Sequence, residues 1–157
     1  MSIAPIKYSV EVKPSPARAF ALFTGSMGKW WPSGRTPGGK AHADVIVESR
    51  VGGRWFERDA EGTETQWGVV LAWEPPTRLL LGWQLNGNFA FDPNLLTEVE
   101  LSFEAVPGGG TRVSLEHRDL ERFGTDAEKM SKAVSGGWRA RLDDFVAFTA
   151  AGQINDA

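Results

Sequence analysis

The chain has 157 residues, of which 41% are hydrophobic and 24% charged; it is ordinary in composition and long enough to bury a core without covalent staples. It contains no cysteine, which excludes disulfides, thiolate nucleophiles and cysteine-held metals. Its formal net charge of -3, with no basic stripe, argues against a nucleic-acid partner.

The opening residues MSIAPIKYSVEV have no basic start followed by an apolar stretch, so no signal peptide is expected. The most apolar run, residues 69–73, is too short to span a bilayer, and a cytoplasmic protein without membrane insertion is expected. Alternation of Ile6, Tyr8, Val10 and Val12 predicts a strand over 6–12. Pro14-Ser15-Pro16 ends it and opens a helix, with Ser15 as the cap and Pro16 in the first turn. Ala19, Phe20 and Phe23 form the apolar face of that helix, and Gly25-Ser26 closes it. A second helical turn is predicted over 27–31, ended by Pro32, and residues 33–41 read as loop.

Strands then follow one another. Residues 44–49 and 54–58 flank Gly52-Gly53; residues 66–73 follow the Glu61-Gly62 turn and stop at Pro75-Pro76. Leu79, Leu81, Trp83 and Leu85 alternate in the next, before the turn residues Asn86-Gly87-Asn88. Thr97, Val99, Leu101 and Phe103 face one way over 97–105, while Glu98, Glu100, Ser102 and Glu104 face the other. Gly108-Gly109-Gly110 turns into 111–117, where Val113, Leu115 and His117 share a face. Over 129–149, Val134, Trp138, Leu142, Phe145 and Thr149 recur at helical spacing, and Gly136-Gly137 is expected to kink that helix or to admit close packing.

Antiparallel strands in succession, with helices near the ends, imply an α+β fold. The amphipathic last helix needs a sheet to cover. The expected architecture is therefore a helix-grip fold: a curved antiparallel sheet of about six or seven strands around a long C-terminal helix, with two short helices after the first strand. Residues 1–150 are expected to form a single domain and 151–157 a flexible tail.

Several local patterns carry a resemblance: Gly52-Gly53-Arg54-Trp55, Gly68-Val69-Val70, Pro75-Pro76-Thr77-Arg78-Leu79 with Trp83, Gly109-Gly110-Thr111-Arg112-Val113 to Glu116-His117, and Gly137-Trp138 followed by Leu142 and Phe145. Phe20 and Trp31 fit the opening helices. In this order the chain resembles the activator-of-heat-shock-protein-90-ATPase-like family of the START/Bet-v-1-like (SRPBCC) superfamily. The resemblance runs from about residue 6 to 149 and implies a cavity between sheet and helix. It names no ligand.

Seven tryptophans and nine phenylalanines beside one tyrosine favour a roomy interior, because each indole N–H needs a partner when buried. The candidate ligand-binding residues are Trp31, Trp55, Trp67, Trp83, Trp138 and Leu142 for apolar area, with His117 and Glu57 as polar groups. His117 lies on the inward parity and reads either as an anchor at the cavity mouth or as a structural histidine. Glu57 shares the parity of Trp55, but Phe56 competes for the inside, and a slip of one residue reverses the assignment. His42 is expected to be solvent-exposed, and Arg78 to form a stabilising ion pair. No metallohydrolase helix motif, nucleophile elbow or phosphate loop is present, so no catalytic residue, metal or cofactor is assigned. The first reading is a protein, monomeric or homodimeric, that binds a small hydrophobic or amphipathic molecule. The alternatives are a polyketide cyclase/aromatase-like enzyme, with His117 and Glu57 as acid/base groups, and a co-chaperone-like protein-binding module, which an exposed patch of Trp30, Trp31 and residues 89–91 would support.

Overall fold

The computed structural model describes residues 3–32, 37–38 and 42–151; of Ala43 only the backbone is described. Most of the expected loop 33–41, and the tail from Gly152, lie outside these residues. Strand β1 (Ile6–Val12) leads through Pro14 to helix α1 (Pro16–Gly25), where the Ser15 hydroxyl accepts from the Arg18 N–H. Helix α2 (Met27–Trp30) follows at once. Six strands come next: β2 (His42–Val47), β3 (Arg54–Asp59), β4 (Glu64–Glu74), β5 (Arg78–Trp83), β6 (Thr97–Ala105) and β7 (Thr111–Arg118). A 3-10 turn (Leu120–Asp126) runs into the long helix α3 (Ala127–Ala150).

The strands form a seven-stranded sheet in the order β1-β7-β6-β5-β4-β3-β2, every neighbouring pair antiparallel. The sheet curls around α3, giving the expected α+β helix-grip fold. Helix α3 buries Met130, Val134, Trp138, Leu142, Phe145 and Thr149 at three- and four-residue intervals, and a bond of 2.7 Å between the Tyr8 hydroxyl and Ser135 Oγ ties it to β1. Gly136 and Gly137 neither kink α3 nor admit a close neighbour: the helix runs through them, and a Cβ at either would meet nothing within 4 Å.

Strand β4 is bulged, and the bulge shapes the interior. Trp55 pairs with Gly68 while Phe56 pairs with Gln66, which leaves Trp67 as the extra residue. The inserted residue turns its ring inward, so Trp55, Glu57 and Trp67 are all buried. Phe56 takes the outer face, where the Arg54 guanidinium covers its ring at 4.0 Å. The competition between Phe56 and its neighbours is thereby resolved: Trp55 and Glu57 go in, and Phe56 is buried from outside by arginine. Gly68 lies in register between Trp55 and Trp83, and its missing side chain lets their rings approach to 6.0 Å between centroids. A Cβ at Gly68 would collide with the Gly82 carbonyl oxygen.

The outer face carries charge. Arg78 donates to Glu100 and Glu74, and Arg118 to Glu100 and Glu98, so Arg78 makes its expected ion pair as part of a chain across β5, β6 and β7. Several boundaries differ from expectation, three of them informatively. Strand β2 begins at His42, which is half-buried with Nε2 3.0 Å from the Gly28 carbonyl oxygen, so His42 is not the exposed loop residue expected. Strand β5 ends at Trp83, and Leu85 makes only an isolated bridge to Phe91. The turn before α3 escapes periodicity because it buries only Leu120 and Phe123 and is broken by Gly124 at φ 69°.

A tryptophan-lined cleft

Between the sheet and α3 the interior is filled largely by indoles. Trp31 packs on Trp67 at 4.8 Å, Trp67 on Trp55 at 5.4 Å, and Trp83 meets both Trp55 and Trp138 at 6.0 Å. Trp55 and Trp138 stack with their planes 22° apart. The indole N–H groups are used internally: Trp55 donates to Met27 Sδ, Trp83 to the Leu85 carbonyl, Trp67 to Glu57 and Trp138 to His117. The surplus of tryptophan thus builds a packed aromatic wall rather than a wide empty chamber.

A cleft of about 130 Å³ lies beside the middle of α3. Trp31, Trp83 and Trp138 form its aromatic walls, and Phe89 stands at its edge. Ala133, Val134, Gly137 and Arg141 supply the helix side. These positions fall at one-, three- and four-residue steps along α3, with Gly137 in the centre, so the cleft is the space that a side chain at Gly137 would occupy. Phe89 reaches it from a tight turn in which the Asn86 side chain accepts from the Asn88 and Ala90 N–H groups and Phe89 adopts φ 56°.

Of the residues singled out from sequence, Trp31, Trp83 and Trp138 line this cleft. Trp55, Trp67, Glu57, His117 and Leu142 are buried but stand outside its lining. Trp67 donates to the Glu57 carboxylate at 2.9 Å, and the Gly38 N–H donates to it at 2.8 Å. His117 is fully buried rather than at a cavity mouth. The Trp138 indole can only donate, so His117 Nδ1 accepts at 3.1 Å; the ring proton then sits on Nε2 and is given to Thr97 Oγ1 at 2.8 Å. This bond pattern requires the neutral ring, and burial holds its pKa down to about 3. Trp30 and Trp31 are buried, at 4% and 9% exposure, so of the patch that would support a protein-binding module only Phe89 and Phe91 are exposed, at 38% and 37%.

Phe89, Ala133, Val134, Gly137 and Arg141 are the cleft residues not assigned to a site from the sequence. The available signal was the i, i+4 spacing of Gly137 and Arg141 around Trp138. No group of His, Asp or Glu that could hold a metal is gathered among the described residues. No helix there is long and apolar enough to cross a membrane.

A curled antiparallel sheet holding one long C-terminal helix places the chain in the START/Bet-v-1-like class. Within it the chain belongs to the family described as activator of Hsp90 ATPase homolog 1-like protein, whose model matches residues 13–150. Among solved structures it is similar to Txn09, an anthrahydroquino-gamma-pyrone synthase, at 36% identity over 93% of this chain and 97% of that one, with a TM-score of 0.67. It is also similar to CalC from Micromonospora echinospora, a self-sacrificing resistance protein, at 31% identity over 92% and 93% of the two chains, with a TM-score of 0.67. NE0264 from Nitrosomonas europaea shares the fold at 15% identity and a TM-score of 0.69, with 98% and 100% of the chains covered. No curated protein matches the chain.

Proposed function

We propose that this chain binds a small hydrophobic or amphipathic molecule, with an aromatic ring as its apolar part, in the cleft between α3, Trp31 and the turn that carries Phe89. The observation that supports this is the aromatic lining of a space of about 130 Å³ around an unfilled helix glycine. Apolar cavities near 150 Å³ accept a benzene-sized molecule, so the cleft as it stands suits a single ring. A larger ligand needs Phe89 or an indole to swing aside. The test is amide and indole N–H shift mapping with benzyl alcohol. Saturable shifts at the Trp31, Trp83 and Trp138 indoles are expected, and Gly137→Leu, which fills the cleft, should abolish them with the fold intact. Shifts spread over the outer face of the sheet, or unaffected by Gly137→Leu, would refute the reading.

The similarity to a synthase at 36% identity favours a second reading, an enzyme of the polyketide cyclase kind. Such a site would act mainly by orienting its substrate. Glu57 and His117 stand outside the cleft lining and their polar atoms are engaged with Trp67, Gly38, Thr97 and Trp138. Acid or base work by either needs those contacts to open. Turnover that survives both Glu57→Gln and His117→Gln would leave orientation as the whole of the catalysis.

A further inference from the structure

We infer that the cleft selects a singly charged aromatic anion, a ring bearing a carboxylate, and that Arg141 is the receptor for the charge. This rests on the cleft being a ligand site and adds what the ligand's polar end must be. Arg141 is the one charged side chain in the cleft lining among the described residues. Its side chain is only 15% exposed, so its guanidinium works where water competes less. It is also held in place: Nε donates to Asp144 Oδ2 at 2.8 Å, and the guanidinium carbon lies 5.8 Å from the Trp31 ring centroid.

That arrangement spends one of five N–H donors. The two terminal nitrogens have no acceptor among the described residues. A planar fork of this kind matches a carboxylate with two parallel bonds. The walls of Trp31, Trp83 and Trp138 leave room for a flat ring and for little else. Asp144 sets the charge limit. Its carboxylate already balances part of Arg141, so a second negative charge on the ligand would face it without a partner. The class that fits is therefore a one-ring aromatic monocarboxylate.

The experiment compares benzoate with benzyl alcohol, its near-isosteric neutral partner, by titration calorimetry at neutral pH and low salt. The unaltered protein should bind benzoate about tenfold more tightly, the worth of a charge-assisted pair. Arg141→Met should remove that preference, weakening benzoate about tenfold more than it weakens benzyl alcohol. Asp144→Asn, which frees the guanidinium, should tighten benzoate alone, and it serves as the second variant if Arg141→Met does not fold. Raising the salt should weaken benzoate and spare benzyl alcohol. Binding of benzyl alcohol with no preference for benzoate, or equal losses for both in Arg141→Met, overturns this inference and leaves the cleft as a ligand site. Binding of neither compound overturns both.

Discussion

Replacing His117 with phenylalanine isolates what its two buried bonds contribute. Phenylalanine fills a similar volume and keeps the ring contact with Trp83, at 5.1 Å in the native protein, but it can neither accept from Trp138 nor donate to Thr97. Each buried polar group left alone costs about 1–3 kcal/mol. The Thr97 hydroxyl can rotate and the indole N–H cannot, so a total loss of about 2–4 kcal/mol at pH 7.5 is expected. The pH dependence is the sharper readout. With a native pKa of about 3 against an unfolded value of about 6.5, the imidazole is neutral in the folded protein and protonated in the unfolded chain between those limits. The unfolded state then binds the extra proton, so stability is full above pH ~6.5 and declines as the pH falls towards 3, by roughly 1.4 kcal/mol per pH unit. Between pH 7.5 and 4.5 the native protein should lose roughly 2–3 kcal/mol that His117→Phe does not lose. Glu48, Glu64 and Glu100, whose pKa values are lowered by hydrogen bonds from arginine side chains or backbone, add acid sensitivity of their own. They are present in both proteins and cancel in the difference. Denaturant midpoints of the two proteins at pH 7.5, 5.5 and 4.5 supply the comparison. Parallel curves would refute the assignment of a neutral, doubly bonded imidazole.

Two substitutions test the packing around the site. Gly136→Ala places a methyl group in open space within α3 and should raise stability by about 0.5–1 kcal/mol, seen as a higher thermal midpoint; a fall would mean that the helix needs a glycine there. Gly68→Ala forces a methyl group against the Gly82 carbonyl and between Trp55 and Trp83, so a loss of more than about 3 kcal/mol and a collapsed near-ultraviolet dichroism signal are expected. A well-folded Gly68→Ala protein would show that β4 and β5 do not approach as described.

Strand β6 and the last helix were legible because their periodicities are uninterrupted. Residues 97–105 alternate without a break, and Val134, Trp138, Leu142 and Phe145 keep one face along α3. Strand ends were less legible, because hydrogen bonding rather than pattern decides whether His42 or Leu85 belongs to a strand. The interior was legible in content and not in shape. Trp31, Trp55, Trp67, Trp83 and Trp138 are buried, as inward-facing residues would be, but period-2 parity cannot see the bulge that inserts Trp67. The cleft itself comes from an absent side chain at Gly137, and a missing atom has no hydrophobic period. Arg141 escaped notice for a related reason: in one dimension a charged residue beside the apolar stripe looks like solvated surface.

The place of β1 has a consequence for how the chain is made. Strands β2 to β7 form a meander in which each new strand meets the one just synthesised, but β1 pairs only with β7, Tyr8 lying opposite Leu115. Its hydroxyl partner, Ser135, is 127 residues away in sequence. The first strand of this sheet to be synthesised is therefore the last of the seven that can be paired. Until β7 emerges, the backbone groups and apolar side chains of β1 have no native partner, and the loop that must close to join them spans most of the chain. During synthesis it is an unsatisfied edge, open to other nascent chains.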